Sequence, residues 1–243
     1  MHLPHSLPCR QDRSIAYFWS DDILRSRCVS DIVISSELEV LSLPAPLLVD
    51  WRSDVTLHLN LQPGDVEELS LSRARTRWPA FNRCVQAVAE WTSALGLHQV
   101  FPASDLALMA CRGARYHYDA AQYGGMAFCN LFLSDDCGHD LHFPATGLRI
   151  PLVRGTVVIF DTGQAHGVIA RDSDGFKASD FPIDQDLTQI FLAWELPIEQ
   201  VNVAQLLQIT FNTDPATALR LTEAQLYVNG VTACVCPDTG QWL

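Results

Sequence analysis

The sequence predicts an α+β protein: a β-rich roll at the centre, a mixed region before it and a short extension after it. Three observations carry that expectation. Between residues 104 and 196, the short apolar runs LALMAC, MAFCNLFL, LRIPL, TVVIF, HGVIA and LTQIFLAWEL follow one another with turn-prone residues between them, the pattern of a sandwich or barrel-like roll. Upstream, PAFNRCVQAVAEWTSALGL repeats apolar residues at helical spacing. Downstream, LYVNGVTACV sets Asn229-Gly230 between two strand-like runs, a strong signal for a two-residue hairpin.

Taken in order, the opening MHLPHSLPCRQDRS lacks the apolar core of a secretory signal, and no later apolar stretch approaches about 18 residues. The expectation is a cytoplasmic protein with no membrane partner. DIVISSELEVLSL alternates and branches like strand material. In the following helix Phe81, Val85, Val88 and Leu95 form one stripe, with Pro79 in the first turn and Gly96 at the end. Residues 1–103 are therefore expected as a mixed α/β region packing on a core at 104–197. After Pro197, IEQVNVAQLLQI has helix-like spacing and precedes the hairpin, so 198–243 is expected as an extension of the same compact domain. The tetrapeptide DTGQ occurs at 161–164 and 238–241, but its flanks share nothing and no repeat is implied.

Composition narrows the functional classes. A chain of 243 residues with 48% hydrophobic and 18% charged residues can bury a substantial core. The net charge of −12, from 16 basic and 28 acidic residues with no basic run, repels a phosphate backbone. Nucleic acid is excluded as an expected partner. The eight cysteines at 9, 28, 84, 111, 129, 137, 234 and 236 are scattered through a chain large enough to fold without cross-links, and are expected to be reduced. Only Cys234 and Cys236 stand close together, and no second pair stands at zinc-ligand spacing.

The chemistry centres on ARYHYDAAQYGG. On an extended segment, residues two apart face one side, so His117 and Asp119 turn an imidazole and a carboxylate toward one point. The triplet alone is common. A third ligand is offered by His166, which follows RGTVVIFDTGQ, a glycine turn, a strand and a second turn that bring the chain back across the roll. Two neutral imidazoles and one carboxylate on one face of an iron(II) ion leave the opposite positions open for substrate and oxygen. The plainer alternatives are a hydrogen-bonded pair at a strand end for His117 and Asp119, and a satisfied core histidine for His166. His139 and His142 in CGHDLHFP also repeat at strand spacing and are rival ligands for a cupin-like site. Tyr116, Tyr118 and Tyr123 read first as packing, although a tyrosine hydroxyl or the Asn130 amide could hold a carboxylate. Arg149 and Arg154 read as solvent-facing and Trp194 as core.

The order His117-x-Asp119, the strand MAFCNLFLSDD, CGHDLHFP, IPLVRGTVVIFD, His166 and a last strand ending LAWEL covers residues 110–196. In that order the chain resembles the iron(II)- and 2-oxoglutarate-dependent dioxygenases, especially the branch with prolyl hydroxylases and phytanoyl-CoA hydroxylase. The resemblance implies a double-stranded β-helix (jelly-roll) core and Fe(II) on His117, Asp119 and His166. It implies 2-oxoglutarate and O2 as co-reactants, with oxidation of a small molecule or a protein side chain. Relatives place an Arg or Lys about ten residues past the distal histidine to clasp the far carboxylate of 2-oxoglutarate. DLTQIFLAWEL has no such base. Arg171 is the favoured substitute, Lys177 has the family spacing, and Arg112, Arg115 and Arg149 remain open, with Tyr116 and Asn130 assisting. If none reaches the pocket, an iron oxygenase that does not use 2-oxoglutarate gains weight, because a buried dicarboxylate would stand uncompensated. The competing classes are a metal-free jelly-roll binding module and a cupin-type metalloenzyme using His139 or His142. The N-terminal region is expected to act as a lid or a partner surface.

Overall fold

A computed structural model of the protein describes residues 14–39, 51, 53, 61–98, 100–101 and 104–243. The opening segment before Ser14 and the end of the DIVISSELEVLSL run lie outside the described residues. In chain order the elements are β1 (Ser14–Ser20), β2 (Ile23–Cys28), β3 (Val33–Glu37), β4 (Val66–Leu69), α1 (Leu71–Arg77), α2 (Phe81–Ala94), β5 (Leu106–Cys111) and β6 (Ala114–His117). There follow α3 (Ala120–Tyr123), β7 (Met126–Phe132), β8 (His139–Phe143), β9 (Leu148–Pro151), β10 (Thr156–Asp161), β11 (His166–Ala170) and β12 (Gln189–Pro197). The chain ends with α4 (Val201–Leu206), α5 (Pro215–Ala218), β13 (Gln225–Val228) and β14 (Val231–Thr232).

The strands form a six-stranded sheet in the order β3-β10-β7-β12-β5-β4 and a four-stranded sheet in the order β6-β11-β8-β9. Every pairing is antiparallel. The eight strands from β5 to β12 are shared between these two sheets, so the chain winds from one to the other as a double-stranded β-helix. The expected jelly-roll core is present.

Most of both faces of the larger sheet is covered, which explains its apolar sequence runs. On β12, Ile190, Leu192, Trp194 and Leu196 turn outward and pack with Trp51, Trp78 and the Phe81, Cys84 and Val88 face of α2. Phe191 turns inward and meets Phe132, Leu141, Phe143, Val158, Phe160 and Val168 from both sheets. Each large apolar side chain buried there contributes about 1.5–3 kcal/mol.

The helix expected at 79–96 is α2, with a rotated stripe. Its buried positions are Phe81, Cys84, Val88 and Thr92, while Val85 is half-buried and Leu95 caps the end. Thr92 is tolerated inside because its hydroxyl donates to the carbonyl of Val88 at 2.9 Å. At the other end of the chain Asn229 (φ 53°) and Gly230 (φ 84°) make the two-residue turn between β13 and β14. That hairpin joins β1 and β2 in a third sheet, ordered β14-β13-β1-β2. Cys28, Cys111, Cys129, Cys234 and Cys236 are free thiols. No described helix is long and apolar enough to cross a membrane.

Candidate metal centre

His117 ends β6 and His166 begins β11, and the two residues are direct cross-strand partners. Past that pair the register slips, so that Val168 faces Ala114. The extra residue on β6 is a β-bulge. It turns Ala114 and His117, three apart, to the inside and swings Tyr116 outward, where it packs with Ile169, Phe176 and Phe181. The Tyr116 hydroxyl shares a hydrogen bond with His142 Nδ1 on that outer side. Gly167 beneath the bulge has to be glycine: a Cβ there would stand 2.9 Å from the Tyr116 ring and 3.0 Å from the Ala114 carbonyl.

Asp119 is placed differently from the expectation of a continuous strand. It caps α3 with φ −110° and ψ 5°, and its N–H donates to the carbonyl of Thr162 at 2.8 Å. A turn locked to the loop before His166, and not strand alternation, aims its carboxylate.

The three side chains meet. Asp119 Oδ2 lies 3.6 Å from His166 Nε2 and 3.8 Å from His117 Nε2. One ligand atom from each residue falls within 4.8 Å of the others, and among the described residues this is the one such group of His, Cys, Asp or Glu. His117 Nδ1 is 2.6 Å from the carbonyl of Arg115 and His166 Nδ1 is 2.9 Å from that of Gln164. A carbonyl only accepts, so both Nδ1 atoms carry the proton and both Nε2 lone pairs are free for a cation. Two ligands about 2.1 Å from one metal at a right angle stand about 3 Å apart, so a contraction of under an ångström brings the Asp119 carboxylate to that spacing from either imidazole. The donor set fits iron(II).

Burial, then the neighbouring His117, holds His166 far below the usual imidazole range, at about 3. Burial raises the Asp119 carboxyl, with His117 pulling the other way. For His166 the folded value lies below the unfolded one of about 6.5. The unfolded chain therefore takes up the proton first, and this group's contribution to stability is lost as pH falls from about 6.5 toward 3. The metal-free protein is expected to lose up to about 1.4 kcal/mol per pH unit from this group across that window. Urea midpoints at several pH values, compared with those of His166→Gln, measure it; an unchanged slope in the variant would contradict the assignment.

A buried ion pair ties the two ligand-bearing loops together. Arg27 on β2 donates to Asp161 through Nη1 (2.6 Å) and Nη2 (2.8 Å), and through Nε to the carbonyl of Gly124 just past α3 (2.7 Å). Asp161, at the end of β10, also accepts from the N–H of Ser30 and of Gly163, both at 2.8 Å. Thr162 Oγ1 bonds the carbonyls of Tyr123 and Met126. Sequence reasoning did not find Arg27: an arginine in ILRSRC looks solvent-facing, and its partner lies 134 residues away.

The other candidate residues lie away from the triad. Arg171 is bound by Asp136 and Asp140 on the outer face of the smaller sheet. Arg149 donates to the carbonyls of Arg171 and Ser173. Arg115 pairs with Asp238, and Lys177 is exposed. Arg112 is buried against the carbonyls of Pro182 and Gln185, at the far end of the roll. His142 is held outside by Tyr116, and His139 faces Ala170 at the far end of β11. Tyr118 bonds the carbonyl of Ala233, Arg154 pairs with Asp135, and Trp194 is core. Asn130 does face the interior, with Oδ1 unpaired.

No family model matches the chain, and no curated protein does. Solved structures do. A Pseudomonas putida prolyl-4-hydroxylase is 16% identical, with 68% of this chain and 92% of that one covered and a TM-score of 0.39. A viral collagen prolyl hydroxylase from Paramecium bursaria Chlorella virus-1, in complex with 2-oxoglutarate, is 11% identical, with 67% and 94% covered and a TM-score of 0.41. A non-haem α-ketoglutarate-dependent carbocyclase from nogalamycin biosynthesis is 10% identical, with 79% and 87% covered and a TM-score of 0.36.

Proposed function

We propose that the protein is a non-haem iron(II) oxygenase whose metal is held by His117, Asp119 and His166. The observation that carries this reading is the meeting of two Nε2 lone pairs and one carboxylate within 4.8 Å, each imidazole fixed by a backbone carbonyl behind it. Bound there, iron(II) supplies a redox centre able to activate dioxygen. Asp119 contributes the single negative charge. His166 stays neutral well into the acid range, and the Phe160 and Phe143 rings at 4.8 and 6.2 Å keep water from its inner side. His117 is the half-exposed ligand, so substrate approaches from its side.

2-Oxoglutarate, the cosubstrate that the sequence resemblance implies, fits less well. Its far carboxylate needs a cation or several strong donors once buried. The strands of the six-stranded sheet contain no Lys or Arg, and the five candidate bases are engaged or exposed elsewhere. The buried amides of Asn130 and Gln189 are neutral. That placement favours the second form of the reading, an iron oxygenase that works without 2-oxoglutarate.

Anaerobic loading with iron(II), addition of 2-oxoglutarate and then admission of oxygen separate the possibilities. The expected result is retained iron, no visible charge-transfer absorption on adding 2-oxoglutarate, and no succinate above the iron-free control. Absorption and succinate together would restore 2-oxoglutarate to the chemistry. A protein that retains no iron after desalting would instead be a metal-free binding module.

A further inference from the structure

Alternation along β5, β7 and β12 gives the larger sheet two unlike faces. The outer residues Leu108, Ala110, Cys129, Leu192 and Trp194 are buried. On the inner face Ala107, Met109, Phe128, Ala193 and Glu195 are only half-buried, and this partly exposed strip is the groove considered below. It begins at the metal triad. Tyr123 of α3 donates its N–H to the carbonyl of Asp119 at 2.7 Å, and its ring meets Phe128 edge-on at 5.1 Å. Phe128 is in turn the cross-strand partner of Glu195. Next along the same face of β7, Asn130 stands between Val158 and Ala193; it is 8% exposed and its Oδ1 has no partner.

We propose that this groove receives a substrate carrying a protonated amine, its charge against Glu195 and the Tyr123 and Phe128 rings and an N–H directed to Asn130 Oδ1. The proposal rests on the iron-site reading, because the amine places the carbon to be oxidised beside the triad. The lining is made of acceptors and aromatic faces, which attract an ammonium group. An anion would meet like charge: Glu195 lies on this face opposite Phe128, Glu68 of β4 is the cross-strand partner of Met109, and no strand of the sheet offsets them with a base. A neutral group would leave Glu195 half-desolvated and unpaired. Burial, with Asp105 beside it, already raises the Glu195 carboxyl, a cost that an incoming cation relieves.

The test titrates n-hexylammonium and its neutral isostere 1-hexanol into zinc(II)-loaded protein at pH 7 by calorimetry, where zinc stands in for iron without redox chemistry. The ammonium is expected to bind roughly tenfold or more tightly than the alcohol. Glu195→Gln should erase that preference and Glu195→Asp keep most of it, with zinc affinity unchanged in both. Equal binding of the two probes, or a preference that survives Glu195→Gln, would overturn the proposal while leaving the metal site intact. Failure to take up zinc at all would instead strike the iron-site reading.

Discussion

Arg27→Ala is expected to cost the fold about 3–5 kcal/mol and to loosen the metal site as well, because it strands a buried carboxylate. Arg27 and Asp161 are both fully buried and joined by two hydrogen bonds. With the guanidinium gone, Asp161 keeps only the N–H groups of Ser30 and Gly163, and the Gly124 carbonyl loses its donor. Gly124 and Gly163 belong to the loops beside Asp119 and His166, so the loss reaches the ligands. The double variant Arg27→Met, Asp161→Leu removes both charges and should recover much of the stability, since a matched apolar pair leaves no buried ion. Its iron affinity should stay depressed, because Gly163 no longer has its carboxylate. Urea midpoints and iron(II) dissociation constants for the three proteins check this; a single variant within about 1 kcal/mol of the parent would contradict the role given to the pair.

The second large effect is on metal affinity. His117→Ala, Asp119→Ala and His166→Ala should each weaken iron(II) binding by roughly a hundredfold or more, beyond what loss of a supporting partner costs. His139→Ala and His142→Ala should leave affinity nearly unchanged, since neither side chain reaches the triad. The same contrast should be visible in stability: at a free metal concentration a hundred times the dissociation constant, binding adds about 2.7 kcal/mol. Thermal shifts with and without metal should therefore collapse in the triad variants alone. A comparable collapse in His139→Ala would point to the cupin-type arrangement.

What was legible in the sequence follows burial. The strands of the larger sheet are largely covered on both faces, so MAFCNLFL, TVVIF and LTQIFLAWEL stand out as apolar runs at β7, β10 and β12. β1 and β2 carry no such mark. β1 pairs with β13, some two hundred residues on, and β2 pairs with β1, so their register is set by contacts that local pattern does not encode. α3 is a single turn of four residues and offers too few positions for a periodicity.

The site divides in the same way. Ligand types and chain order identify His117, Asp119 and His166, but strand alternation misplaces the origin of Asp119's direction, which comes from a turn and the Thr162 carbonyl. The bulge at Tyr116 is likewise invisible in ARYHYD, because a register slip depends on the partner strand. For Arg171 a signal was present: an offset of five along one strand puts it on the face opposite His166, and it is found there with Asp136 and Asp140. The acceptor-lined groove could not be read from spacing, since Tyr123, Phe128, Asn130 and Glu195 become neighbours only when β7 and β12 pair.

The most direct measurement is the X-ray absorption spectrum of the anaerobic iron(II)-loaded protein, compared with the same spectrum for His166→Ala. The predicted result is one iron per chain in a first shell of nitrogen and oxygen that includes two imidazoles, falling to at most one in the variant. Iron without histidine ligation, or ligation that His166→Ala leaves untouched, would contradict the proposed centre.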